Sequence, residues 1–115
     1  PAKNIYCRYT DGYQYNIVAE LASQYVSEGD AVLCVSEHSL WYLLTEGTIS
    51  AYSTISTPTF DERLLEYWEL HPEKYPDIVL AAKEYPDLDR IIDLLNLESP
   101  LAEQEGILIY RVNPR

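Results

Sequence analysis

The residues best suited to chemistry lie where apolar runs of this sequence end. Glu37 and His38 follow the apolar run Ala31–Val35 after one intervening serine, and they form the one acid–imidazole pair at the end of an apolar run. A carboxylate and an imidazole can together move protons near neutral pH. Adjacent side chains seldom point the same way, so a catalytic pair would need Asp11 or Lys83 from a neighbouring loop. We favour the simpler interpretation that Glu37 and His38 begin a helix, where a carboxylate meets the positive end of the helix dipole.

Motifs for phosphate and metal binding are missing. The first turn between a strand and a helix reads Thr-Asp-Gly-Tyr-Gln-Tyr and contains a single glycine, Gly12. A dinucleotide fingerprint needs three glycines, and a P-loop needs Gly-Lys-Ser/Thr. The two cysteines, Cys7 and Cys34, form no Cys-x-x-Cys motif and lie within apolar runs, where a free cysteine packs as a small hydrophobe. The sequence therefore predicts no nucleotide, no cofactor and no metal.

The charge balance narrows the choice of partners. Eight basic residues against nineteen acidic ones give a formal net charge of −11. Such a surface repels phosphate backbones and anionic lipid headgroups, so we expect no nucleic-acid partner. The longest apolar runs have five residues, whereas a membrane span needs about 20. The sequence contains no methionine, and this predicts a fragment of a longer protein.

The apolar patterns alternate between those of strands and those of helices. The runs Ala31–Val35 and Ile78–Ala82 are apolar throughout, which is typical of strands covered on both faces. Between the runs, apolar residues recur with the 3.6-residue period of helices, and Thr59 with Glu62 fits a capping box. The predicted strands are 4–9, 31–35, 48–53, 78–82 and 107–112, and the predicted helices are 13–28, 40–46, 59–70 and 88–97.

This alternation predicts the fold class. We expect one α/β domain over residues 1–115, built as a three-layer α/β/α sandwich around a mostly parallel, five-stranded, Rossmann-like sheet. The last strand, Ile107–Val112, could run antiparallel, because its connection from Leu97 is irregular.

The fold class places a candidate site. In an open parallel sheet, ligands bind beyond the carboxyl ends of the strands. A neutral glycan suits an acidic rim better than a nucleotide, because carboxylates and tyrosine hydroxyls bond sugar hydroxyls without bringing like charges together. No catalytic residue is assigned. The candidate ligand-binding residues are Asp11, Tyr13, Glu37, His38 and Trp41, the last on a short helix where it is expected to be exposed.

Two segments resemble one family. The stretch Ile55–Val79, which contains Thr-Pro-Thr-Phe-Asp-Glu-Arg-Leu-Leu-Glu-Tyr-Trp-Glu-Leu-His-Pro, resembles a segment of multi-span membrane proteins from clostridia-like bacteria. These proteins look like lipid-linked-sugar glycosyltransferases of the mannosyltransferase type, and the segment lies in their C-terminal soluble region. The stretch Tyr25–Leu44 is similar to the same proteins, with a Gly-Asp turn, a buried strand and a helix that begins Leu-Trp-Tyr-Leu.

The resemblance implies a location and a role. It implies that the domain follows the last transmembrane helix of a membrane-embedded parent and lies on the extracytoplasmic face. The family's catalytic acids lie in loops between membrane helices, so none is carried over to this chain. We therefore expect a non-catalytic accessory domain that contacts a glycan or an acceptor. Two alternatives stay open: a free-standing Rossmann-like domain that binds a ligand or catalyses a reaction in its strand-end crevice, and an acidic inhibitor or immunity-type protein. The oligomeric state is left open.

Overall fold

The computed structural model describes residues 12–36, 48–49 and 62–114, and the side chains of residues 16–36 and 64–114. The predicted strand at 4–9, the predicted helix at 40–46, the Thr59 cap and Cys7 lie outside these residues. The described helices are α1 (Gly12–Tyr25), α2 (Glu62–Leu70) and α3 (Leu88–Leu95), with a 3₁₀ turn at Pro72–Lys74. The described strands are β1 (Ala31–Val35), β2 (Thr48–Ile49), β3 (Ile78–Ala82), β4 (Ala102–Gln104) and β5 (Ile107–Arg111).

The strands form one mixed sheet in the order β2-β1-β3-β5-β4. β1 is parallel to both β2 and β3, with Val32 aligned to Ile78. β5 is antiparallel to both β3 and β4, with Leu80 aligned to Ile109. The predictions that β1 and β3 are parallel strands of one sheet and that the last strand could run antiparallel are confirmed. The chain is thus an α/β domain.

The prediction of a mostly parallel, Rossmann-like sheet is wrong for the described strands, because half of their pairings are antiparallel. The physical reason lies in the connections. A parallel pair needs a crossover of a dozen or more residues, whereas an antiparallel pair needs only a short turn. After α3 the chain forms β4 and then reverses through Glu105 and Gly106 directly into β5. Because of this short reversal, β5 runs antiparallel to β4 and also to β3.

Helices cover both faces of the sheet, which explains why β1 and β3 are apolar throughout. Alternate residues of each strand point to opposite faces, and both sets are buried here. One face packs on α1 and the other on α2 and α3. The core between α1 and the sheet contains Ile17, Val18, Leu21, Ala22, Val32, Cys34, Ile78, Leu80, Ile107 and Ile109, and the core on the opposite side contains Leu33, Val35, Leu64, Trp68, Val79, Ala81, Leu88, Ile91, Leu95, Leu108 and Tyr110.

Local hydrogen bonds end α1 earlier than the predicted Glu28. The Ser27 amide donates to the Asp30 carboxylate at 2.8 Å, and the Asp30 amide donates to the Ser27 carbonyl at 3.0 Å. These two bonds close a turn in which Gly29 takes a φ of 93°, a backbone conformation that favours glycine. The turn redirects the chain from α1 into β1.

α3 also ends before the predicted Leu97. Asn96 adopts the left-handed conformation with a φ of 52°. The amides of Asn96 and Leu97 both donate to the Ile92 carbonyl, which satisfies a carbonyl at the helix end. Asparagine tolerates this conformation better than most residues, so its place in the sequence sets the helix end.

The turn between β4 and β5 offers a test of the local backbone. Glu105 and Gly106 have φ values of 52° and 80°, the pattern of a two-residue hairpin turn that favours Asn-Gly. We expect Glu105→Asn to raise the free energy of unfolding by about 0.5 kcal/mol in urea titrations. Glu84→Asn is the matched control, because Glu84 lies in a turn without a positive φ. Equal effects of the two substitutions would contradict the prediction.

Candidate functional site

The carboxyl ends of β1 and β3 form a topological switch point. From β1 the chain continues to β2 on one side, whereas the strands that follow β3 lie on the other side. In open α/β sheets, such a reversal opens a crevice beyond the strand ends where ligands bind. Ser36 follows β1 at this edge, and Lys83 and Glu84 follow β3. We call Ser36, Lys83 and Glu84 the carboxyl-edge residues.

Ser36 is the one buried polar residue within residues 16–36 and 64–114, with 4% of its surface exposed. Burying a hydroxyl carries a free-energy cost unless a hydrogen bond compensates for it, and Ser36 does have a bonding partner. Ser36 follows the apolar β1 directly, so it lies where the chain passes from the buried core to the polar edge of the sheet. The sequence analysis did not select Ser36 as a candidate site residue.

Lys83 connects the carboxyl edge to the outer strand of the sheet. Its Nζ lies 3.1 Å from Oε2 of Glu103 on β4, and its backbone amide donates to the Gly106 carbonyl at 2.8 Å. A lysine ammonium has three donors, so two remain after the bond to Glu103. Sequence reasoning missed Glu103, because Ala102–Gln104 has no apolar pattern that would predict a strand.

The predicted site residues are not tested by the structure. Asp11, Glu37, His38 and Trp41 lie outside the described residues, and Tyr13 lies in α1 with its side chain outside them. Of the predicted strand-end rim, the structure describes residues 12–13, Ser36 and residues 83–85. The rim itself is therefore placed by β1 and β3, and its predicted ligand-binding residues stay predictions.

Among the described residues, the two groups with displaced pKa values are parts of the core. Burial raises the pKa of the Cys34 thiol well above its ordinary value. Burial also raises the pKa of Tyr110, and the negative charges of Glu103 and Asp89 raise it further. Both side chains are therefore neutral at neutral pH, and a neutral thiol is a poor nucleophile.

We expect Cys34 to resist thiol reagents while the domain is folded. Because Cys34 is 2% exposed, reaction with Ellman's reagent requires opening of the sheet, and the rate at pH 8 should fall at least about a hundredfold below that of the unfolded chain. Mass spectrometry of peptides would separate Cys34 from Cys7. Labelling of Cys34 at the same rate in the folded chain and in urea would contradict its burial.

Asp77 organises the opposite edge, where β1 and β3 begin. Its Oδ2 accepts a hydrogen bond from the Ala31 amide at 2.8 Å, and its own amide donates to the Ala31 carbonyl at 2.8 Å. The Asp77 carbonyl accepts a third bond, from the Val112 amide at 2.9 Å. One residue thus ties the start of β1 and the start of β3 to the end of β5.

Within residues 12–36, 48–49 and 62–114, no group of three or more His, Cys, Asp or Glu side chains is arranged to hold a metal ion. Among the same residues, no helix combines the length and the apolar character that crossing a bilayer requires.

Comparison with known proteins adds no relative to this description. The chain matches no protein family, and no curated protein and no solved structure is significantly similar to it. The α/β fold, the switch point and the chemistry of the residues around it are therefore the features that bear on function.

Proposed function

We propose that this chain is a non-catalytic accessory domain of a membrane-embedded, glycosyltransferase-like protein, and that it contacts a glycan or an acceptor at the carboxyl edge of β1 and β3. One observation carries the non-catalytic part. At each end of β1 and β3, one described charged side chain is engaged in a contact within the fold. Asp77 binds the Ala31 amide at one end, and Lys83 pairs with Glu103 at the other.

The electrostatics of the described residues support binding rather than covalent chemistry. Catalytic groups usually have pKa values displaced toward the operating pH, by burial or by nearby charges. The pKa values of Cys34 and Tyr110 are displaced away from neutral pH, which makes both groups less reactive. Their role is to pack the two faces of the sheet.

The chemistry of the carboxyl edge supports a neutral glycan. Lys83 and Glu84 offer an ammonium and a carboxylate at this edge. Sugar hydroxyls both donate and accept hydrogen bonds, so this mixture of groups suits them. The net charge of −11 opposes a phosphorylated ligand. Asp11, Tyr13, Glu37, His38 and Trp41 are proposed to complete the rim.

The resemblance of segments 25–44 and 55–79 supports the membrane-embedded parent and the extracytoplasmic location. The sequence encoded before Pro1 tests this part of the proposal. Several apolar runs of about 20 residues upstream are expected. A parent gene without such runs would overturn the membrane assignment and leave the glycan contact to be judged separately.

Titration of the purified chain followed by NMR tests the glycan contact. A neutral manno-oligosaccharide is expected to shift the amide signals of Ser36, Lys83 and Glu84, whereas GDP-mannose and ATP are expected to shift none of them. Trp41→Ala is expected to weaken the glycan contact, because an aromatic face stacks on a sugar ring. Micromolar binding of a nucleotide at the same edge would overturn this proposal and favour the ligand-binding or enzymatic crevice.

The outer face of α2 favours a second candidate, an acidic inhibitor of a basic protein. Leu65 and Leu70 are 38% and 77% exposed, and they lie beside the exposed carboxylates of Glu66 and Glu69. Apolar residues surrounded by charge are a common composition for a binding surface. Tight binding to a basic protein encoded beside this chain, abolished by Leu70→Asp, would place this candidate first.

A further inference from the structure

A cavity of about 280 Å³ lies at the amino ends of β1 and β3, at the edge organised by Asp77. It is bounded on one side by the segment that joins α2 to β3 and on the other by the chain beyond β5. We call it the amino-edge cavity. Its lining residues are Pro72, Glu73, Tyr75, Pro76, Asp77, Val112, Asn113 and Pro114.

The lining combines carboxylates with flat apolar surfaces. Glu73 and Asp77 carry negative charge, and no lysine or arginine is among the lining residues. Oδ2 of Asp77 accepts a hydrogen bond from the Ala31 amide. The other carboxylate oxygen, Oδ1, has no hydrogen-bond partner within the described part of the chain. Glu73 has a single weak partner, His71 Nδ1 at 3.6 Å, and both of these side chains are more than half exposed. The cavity therefore has unused acceptor capacity.

Tyr75 supplies an aromatic wall with a fixed orientation. Its ring packs edge to face on Trp68, with the ring centroids 5.5 Å apart. Trp68 is 1% exposed, so the core holds Tyr75 in place from one side. Pro72, Pro76 and Pro114 add rigid apolar surfaces around it. A wall held in this way loses little conformational entropy when a ligand packs on it.

We propose that the amino-edge cavity binds a guanidinium group, from an arginine side chain of a peptide or from a small guanidine. A guanidinium is planar, so it stacks on an aromatic or proline surface, and its N–H groups form paired hydrogen bonds with a carboxylate. An ammonium lacks the plane, and an anion would be repelled by Glu73 and Asp77. The volume is slightly below the usual range for ligand pockets, which suits one side chain rather than an oligosaccharide.

This inference is independent of the proposed glycan contact. The strands β1 and β3 have five residues each, so the first and last Cα atoms of each strand are about 13 Å apart at about 3.3 Å per residue. The carboxyl-edge residues and the amino-edge cavity therefore report on different parts of the domain in the same NMR spectrum. Failure at one edge leaves the result at the other intact.

The test is an NMR titration of the whole chain with three probes: ethylguanidinium, N-acetyl-arginine amide and n-butylammonium. Both guanidinium probes are expected to shift the amide signals of Glu73, Tyr75 and Asn113 and to leave Ser36 and Lys83 unchanged. We expect n-butylammonium to bind at least about threefold more weakly, because it lacks the stacking and the paired bonds. Binding of N-acetyl-arginine amide alone would assign the site to peptides, and equal binding of both would show that the guanidinium group is sufficient.

Charge-neutralising variants distinguish binding in the amino-edge cavity from nonspecific attraction of a cation to the acidic domain. Glu73→Gln is expected to weaken binding by about threefold or more, and its side chain is 66% exposed, so the fold should tolerate the change. Glu84→Gln is the matched control, because it changes the net charge equally at the carboxyl edge. Equal losses for the two variants, shifts spread over the whole surface, or no shifts would each overturn the proposal.

Discussion

Replacement of Trp68 by alanine is expected to lower the free energy of unfolding by about 3–5 kcal/mol. Trp68 is 1% exposed and packs between α2 and the sheet, in the cluster that also contains Leu64 and Ile91. The substitution removes the largest side chain of that cluster and leaves a cavity that the rigid strands cannot fill. Domains of this size are stable by about 5–15 kcal/mol, so the variant should unfold at a much lower urea concentration, as measured by far-ultraviolet circular dichroism.

Leu70 on the same helix supplies the matched control. Its side chain is 77% exposed, and Leu70→Ala is expected to change the free energy of unfolding by less than about 0.5 kcal/mol. Trp68→Phe should lie between the two, because phenylalanine fills part of the space. If Trp68→Ala lost no more stability than Leu70→Ala, the packing of α2 on the sheet would be wrong.

The second large effect is expected at Asp77. Asp77→Ala removes the carboxylate that accepts the Ala31 amide at 2.8 Å, and it should lower the free energy of unfolding by about 1.5–3 kcal/mol. The cost is that of leaving the amide at the start of β1 without its acceptor. Urea titration of the variant measures it, and an unchanged slope would show that the unfolding transition keeps its character.

Two controls identify the cause of the Asp77 effect. Asp77→Asn keeps an acceptor oxygen in the same place and should lose less stability than Asp77→Ala. Asp30→Ala also removes a carboxylate that accepts a hydrogen bond from a backbone amide, that of Ser27, at 2.8 Å. Because this bond joins two residues of the same exposed turn, its loss should lower the free energy of unfolding by less. Equal losses for Asp77→Ala and Asp77→Asn would show that charge rather than the hydrogen bond matters.

The buried centre of the fold could be predicted from the sequence because its patterns are local. Ala31–Val35 and Ile78–Ala82 are continuous apolar runs, and their assignment as parallel strands is confirmed. α3 begins at Leu88 as predicted, since Leu88, Ile91 and Leu95 follow the helical period. The apolar residues Ile17, Val18, Leu21 and Ala22 likewise predicted the buried side of α1.

The direction of the sheet beyond β3 could not be predicted in the same way. β4 is three residues long and has the composition Ala-Glu-Gln, which carries no strand signal of its own. It is a strand because β5 offers it hydrogen bonds after a two-residue turn. A segment without alternating apolar residues forms a strand only when a neighbouring strand pairs with it. A local sequence pattern does not reveal which strand that neighbour will be.

The candidate functional site could likewise be predicted only in part from local sequence patterns. The sequence placed a rim at the strand ends, and the switch point between β1 and β3 lies at that edge. The bond from Asp77 to Ala31 could not be predicted from a local pattern, because 46 residues separate the two. An acidic residue directly before a buried strand was the available signal. The amino-edge cavity depends on the chain beyond β5 returning to that turn, which no local motif predicts.

The mixed sheet also sets an order for folding. β4 and β5 meet through a two-residue turn, and Ala82 pairs with Ile107, whereas the pairing of Val32 with Ile78 closes a loop nearly twice as long as that between Ala82 and Ile107. Loop-closure entropy rises with loop length, so contacts close in sequence form at less cost. The hairpin of β4 and β5 can therefore nucleate first and align β3 against it. β1 and α1 then dock on a preformed edge, with β3 as the template that joins the two halves of the chain.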